Sequence, residues 1–128
     1  MLGCAVAGVA ADSLKKSSGI ASDTLAMTLT RLEHGRLQLG PDHVLVLDEA
    51  GMVPTKAFAE LVGHARRSGA KLVAAGDQGQ LQAIQAGGPF GSICKRHPER
   101  VANLEEIYRQ REPWRRETVH QLSRGEAK

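Results

Sequence analysis

Two acids in a row, Asp48 and Glu49, end an unbroken apolar run of Val44, Leu45, Val46 and Leu47. An aspartate at the tip of such a strand is placed to hold Mg²⁺ directly or through its waters. An adjacent glutamate, aimed slightly off, can take a proton from an attacking water. The same pair can also do no more than cap the loop or helix that follows. A second polar cluster, Gly76, Asp77, Gln78, Gly79 and Gln80, ends another strand-like run at 71–75. Asp77 and Gln80 can hydrogen-bond a water, a metal shell or a terminal phosphate, and the five residues also read as a plain polar turn. The combination is more informative than either part. Glu49 and Asp77 are 28 residues apart, and if their strands are neighbours the two clusters converge, as a site requires. Such a set suits hydrolysis of a nucleoside triphosphate, which needs Mg²⁺ on the phosphates, a group to orient water and positive charge for the transition state.

Positioning these clusters takes strands and helices in alternation. Residues 2–7 read as a short buried strand, and Gly8 leads into a helix over 9–16 that Gly19 closes. Ser22 and Asp23 are placed to cap a second helix, whose Leu25, Leu29 and Leu32 fall at i, i+4 and i+7 with Gly35 beyond its end. After the turn-like Gly40, Pro41 and Asp42, the run at 44–47 has the unbroken apolar character of a parallel strand covered on both faces. Pro54 suits a first helical turn, and Phe58, Leu61, Val62 and Ala65 follow at helical spacing before Arg66, Arg67 and a stop at Gly69. Beyond the strand at 71–75, Pro89 can start a short helix through Phe90 and Ile93. Residues 101–104 read as one more strand and 113–124 as a terminal helix with a weak apolar stripe, ended by Gly125. This order predicts an open, mostly parallel α/β sheet flanked by helices. Ligands of such sheets bind outside the carboxyl ends of the strands, where Asp48, Glu49 and the Asp77 cluster are expected.

Composition sets the outer bounds. With 128 residues, 41% of them hydrophobic, the chain has the length and apolar content of one ordinary domain. No run approaches the roughly 20 apolar residues of a membrane span, and the apolar start lacks the basic opening of a secretory signal, so a soluble, cytoplasmic protein is expected. Cys4 and Cys94 are far apart and form no CxxC, which argues against a disulfide framework or a zinc site. The histidines at 34, 43, 64, 97 and 120 show no ligand spacing. Residues 1–94 carry eight Lys/Arg against eight Asp/Glu, whereas 95–128 carry nine against six, so the net +3 sits in the last quarter. A basic segment of this kind serves a nucleic-acid backbone or a nucleotide phosphate, or is a solvated helix face.

The residues at 44–52 resemble motif II of superfamily 1 helicases, with Asp48-Glu49 as a Walker B-type pair, and those at 76–84 resemble motif III. The nearest resemblance is to the RecD-like helicase domain of TraA/MobA-type conjugative relaxases, where a glycine-rich stretch ending in phenylalanine follows motif III much as Ala86, Gly87, Gly88, Pro89 and Phe90 do here. Residues 107–114 resemble that family's motif IV, whose Arg-Gln pair maps to Arg109 and Gln110. Residues 5–11 resemble motif Ia, and 19–25 its following segment. The resemblance runs from Leu2 to about Gly125. It implies Asp48, Glu49, Gln80 and Arg109 as catalytic residues, with Asp48 on the metal and Arg109 directed at the γ-phosphate. Gly76, Asp77, Gln80, Arg109 and Gln110 would lie against the nucleotide. Motif Ia implies contact with single-stranded DNA, although Val9 stands where relatives often carry lysine or arginine.

A P-loop, or Walker A motif, needs a glycine-rich turn ending in Gly-Lys-Ser/Thr, and no such run occurs in these residues. In the family that loop precedes motif Ia, so the resemblance implies that residues 1–128 are a partial RecA-like domain, a fragment without its P-loop strand and helix. ATP and Mg²⁺ would then be cofactors of the intact parent protein, with no tight binding to this chain. The remaining helicase and relaxase domains would be its partners, and no membrane is expected. Loss of a strand beside 72–75 would expose a sheet edge open to self-association. Two other readings stay open: a stand-alone, non-catalytic DNA- or protein-binding α/β module, and an unrelated doubly wound domain that binds a small phosphate compound.

Overall fold

A computed structural model of the chain describes residues 1–77 and 88–104. The chain divides into two units, Met1–Arg96 and His97–Lys128. In the first, four short strands alternate with helices: β1 (Leu2–Ala5), α1 (Gly8–Ser18), β2 (Ser22–Thr24), α2 (Leu25–Glu33), β3 (Val44–Leu47), α3 (Thr55–Ser68), β4 (Lys71–Ala74) and α4 (Pro89–Arg96), with a 3-10 turn at Ala50–Met52. All strand pairs are parallel and the order across the sheet is β2-β1-β3-β4. The α/β architecture expected from the sequence is the one present, a parallel sheet flanked by helices and consistent with part of a RecA-like fold.

Register explains the core. Leu2 pairs with Leu45 and Cys4 with Leu47, while Leu45 and Leu47 pair with Leu72 and Ala74. Because side chains alternate along a strand, these residues share one face. There they meet Leu25 and Leu29 of α2 and Phe58 and Leu61 of α3. Helix α1 lies on the other face: a Cβ on Gly3 would meet Ser22 Oγ and the Leu14 side chain, so glycine eases its close approach. Cys4 is wholly buried, and burial pushes its thiol up to about 12, so it behaves as a small apolar core residue. Cys94 is half-buried, and both cysteines are free. Strand β3 is covered less evenly than its composition suggests: Leu45 and Leu47 are buried, whereas Val44 and Val46 are half-buried.

Helix ends follow the expected chemistry, with one correction. Gly19 and Gly69 close α1 and α3 in the left-handed conformation, at φ 72° and 75°. Helix α2 is capped by Thr24, whose Oγ1 accepts the Met27 amide at 3.2 Å, and not by Ser22 or Asp23. Those two residues belong to β2 instead, and Asp23 pairs with Arg31 one helix away. In the second unit, residues 101–104 form no strand. Leu104 is 96% exposed, so nothing there packs its side chain against a sheet. The described part of that unit is a 3-10 turn, Pro98–Arg100, in which the Glu99 backbone amide, then His97 and Arg100, hold the Glu99 carboxyl below its ordinary value. The terminal helix expected at 113–124 lies outside the described residues. No helix among the described residues is long and apolar enough to cross a membrane.

Candidate functional site

At the carboxyl end of β3 the chain leaves the sheet through the acid pair. The Asp48 amide donates to the Cys4 carbonyl at 2.9 Å, which extends the β1–β3 ladder by one bond and fixes where the aspartate sits. Its Oδ1 accepts the Glu49 amide, also at 2.9 Å. Glu49 is exposed and left-handed, φ 52° and ψ 39°, the one non-glycine residue with positive φ among those described. This conformation costs a residue with a Cβ about 1–2 kcal/mol. It turns the chain sharply into the 3-10 turn, where the Met52 amide donates to the Glu49 carbonyl at 2.9 Å. The two acids differ in surroundings: Asp48 is half-buried and Glu49 is exposed.

Strand β4 brings the second cluster alongside. The Ala75 amide donates to the Leu47 carbonyl and the Ala50 amide returns a bond to the Ala75 carbonyl, both at 2.8 Å. The loop after β3 is thereby tied to the loop after β4. The two backbones then touch: a Cβ on Gly51 would lie 3.1 Å from the Asp77 carbonyl oxygen, and one on Gly76 would lie 3.0 Å from the Gly51 nitrogen. Asp48, Glu49, Gly76 and Asp77 are thus gathered at one end of the sheet. The loop after β1 lies at the same end, since Cys4 bonds Asp48, and Val9 in the first turn of α1 is 83% exposed. Gln80, Arg109 and Gln110, the other residues singled out from the sequence, lie outside the described residues.

Three features of this site were not read from the sequence. They are the left-handed Glu49, the Gly51–Gly76 backbone contact, and Phe90, whose ring edge would lie 3.1 Å from a Cβ on Gly76. A glycine within four residues of each strand end was the available signal for the second, since glycine there marks close backbone approach. No group of three or more His, Cys, Asp or Glu side chains gathers into a metal cage among the described residues. A cavity of about 260 Å³, lined by Lys15, Ser22, Asp23 and Arg31 among others, opens at the opposite, amino end of β1 and β2, away from the acid pair.

The sequence matches the AAA domain family model over residues 1–128. It is 47% identical over 125 residues to the probable conjugal transfer protein TraA of Sinorhizobium fredii, a match covering 98% of this chain and 11% of that protein. The conjugal transfer protein TraA of Rhizobium radiobacter is 46% identical over the same length. The multifunctional conjugation protein TraI of Escherichia coli is 38% identical over 112 residues, covering 84% of this chain and 6% of that protein. The chain therefore spans a small part of the length of these relatives. Parallel strands that end in an acid pair, a second loop tied to the first, and a family match along all 128 residues agree: the chain belongs to the AAA domain family.

Proposed function

We propose that this chain supplies the metal-and-water half of an ATP-hydrolysing site in a DNA helicase or translocase module of a conjugal transfer protein. The observation that carries the reading is the contact between the two strand-end loops, which brings Asp48 and Glu49 beside Gly76 and Asp77. The donor set suits Mg²⁺, which keeps several waters and relies on one or two carboxylates plus substrate phosphates rather than on a protein cage. Asp48 would hold the ion or its waters. Bound there, Mg²⁺ would supply charge neutralisation on the phosphates. Glu49, exposed beside Asp48, is the base that accepts a proton from the attacking water. Asp77 and Gln80 would orient that water or the terminal phosphate, Gly76 would let the nucleotide approach, and Arg109 with Gln110 would stabilise the charge that develops there. These roles rest on the resemblance of residues 44–52, 76–84 and 107–114 to helicase motifs II, III and IV.

Single-stranded DNA is the proposed polymer partner, on the likeness of residues 5–11 to motif Ia and on the names of the conjugal relatives. The other helicase and relaxase domains of such a protein would be protein partners. With no Gly-Lys-Ser/Thr run to cradle the phosphates, the chain by itself should bind MgATP weakly and turn it over negligibly. The outer edge of β4, which no described residue pairs, offers a further route to self-association. The test is an exchange: residues 1–128 replace the matched segment of the Sinorhizobium fredii TraA, and ATP hydrolysis and nucleotide binding are measured with and without Glu49→Gln. Hydrolysis should fall by about 100-fold or more with binding kept. Unchanged hydrolysis in the Gln variant removes Glu49 as the base, and tight MgATP binding by the chain alone overturns the division into halves.

A further inference from the structure

Something must hold Glu49 in a conformation that its own Cβ disfavours. The hydrogen bond from Ala50 to the Ala75 carbonyl pins the turn on one side. The next residue, Gly76, faces the turn with a bare α-carbon: a Cβ there would lie 3.0 Å from the Gly51 nitrogen, 3.2 Å from the Ala50 nitrogen and 3.1 Å from Phe90 Cε1. These are backbone atoms and a packed ring, so none of them can give way cheaply. Phe90 is the one buried residue of α4, with Ile93 exposed and Cys94 only half-buried, so its ring is the main anchor of that helix against the 3-10 turn. Ala50 and Val53, at either end of the turn, are wholly buried.

We infer that Gly76 and Phe90 are positioning residues for the acid pair: the phenyl edge and the bare α-carbon form a seat for the Ala50–Met52 turn, and that seat fixes how Asp48 and Glu49 present their carboxylates. This deepens the proposed function and rests on it for the use of the carboxylates, but the seat itself is a statement about backbone packing. It also accounts for the pairing of residues from distant parts of the chain. Gly76 follows the strand beside β3, and Phe90 comes from the helix that packs on the turn, so neither loop can shift without disturbing the other.

At 13.7 kDa the chain suits amide NMR. Two quantities are read: hydrogen exchange at the Ala50 amide relative to the Leu45 amide in the middle of β3, and line broadening by dilute Mn²⁺ at the amides of Asp48 and Glu49. In Gly76→Ala and Phe90→Ala, Ala50 should exchange about tenfold faster relative to Leu45. Mn²⁺ broadening should weaken by about tenfold, as when groups that orient metal ligands are lost. Phe90→Leu, which refills most of the seat, should restore both. Leu29→Ala, a core truncation away from the turn, should lower Tm and leave both quantities at their original values. Wild-type exchange ratios in Gly76→Ala and Phe90→Ala overturn the inference, as does a Leu29→Ala variant that moves them equally. Should Phe90→Ala fail to fold, Gly76→Ala and Phe90→Leu decide. Asp48→Asn separates the two levels of argument. If it leaves Mn²⁺ broadening unchanged, the metal reading falls and the exchange ratio alone judges the seat.

Discussion

Glu49 shows what an acid pair needs beyond two carboxylates. Adjacent residues in an extended strand would send their side chains to opposite faces. Here the left-handed turn at Glu49 ends the strand, keeps its carboxylate in solvent and leaves Asp48 half-buried beside it. That arrangement sets stability against function. Glu49→Gly should relieve the backbone and, after allowing for the greater freedom of an unfolded glycine, stabilise the chain by about 0.5–1 kcal/mol. Glu49→Gln, which keeps a Cβ, should leave stability within about 0.5 kcal/mol of the original. Urea unfolding of the three proteins checks this, and a destabilised Gly variant would show that the glutamate side chain stabilises the turn whose backbone it strains. The acid pair itself was legible because an apolar run ending in Asp-Glu is visible one residue at a time. The conformation was not, since it depends on the Ala50–Ala75 bond, whose partners are 25 residues apart.

At the scale of elements, legibility tracked apolar content. Strands β1, β3 and β4 and helices α1 and α3 announce themselves through apolar runs, helical spacing and the glycines that end them. β2 does not, because Ser22, Asp23 and Thr24 form a short outer strand held by backbone pairing to Gly3, Cys4 and Ala5, with no hydrophobic residue of its own. Missing that strand moved the expected helix cap upstream by one residue or more. The two placements make opposite claims about mutation. Thr24→Ala removes the hydroxyl that accepts the Met27 amide and should cost about 1 kcal/mol. Ser22→Ala loses only the bond from its hydroxyl to the Ile20 carbonyl and should cost clearly less. Thermal unfolding of both variants decides which residue is the cap. Residues 101–104 failed in the other direction: a short run with Val101 and Leu104 resembles a strand locally, but strands need neighbours, and a stretch with an exposed leucine has no sheet face to join.

For the sheet as a whole, the decisive fact is which strand lies outermost among the described residues. β4 ends the order β2-β1-β3-β4, and no described residue pairs with its outer edge. The amides of Lys71 and Ala75 bond inward to His43 and Leu47. By the alternation of a parallel ladder, those of Leu72 and Ala74 point outward. The edge also meets a poorly covered face, since Val73 is 49% exposed and Val46, its partner in β3, is half-buried. An open edge with apolar side chains beside it is a template for another strand. Four residues are too few to build a stable interface, which needs roughly 1,000 Å². Association of the chain with itself should therefore be weak and concentration-dependent, visible in sedimentation at high protein concentration and reversed on dilution. Ala74→Pro removes one outward donor without touching the inward ladder and should return the profile to that of a monomer with little change in Tm. A monomeric profile for the unmodified chain at high concentration would show that this edge is already satisfied. A dimer that survives Ala74→Pro would place the contact on another surface.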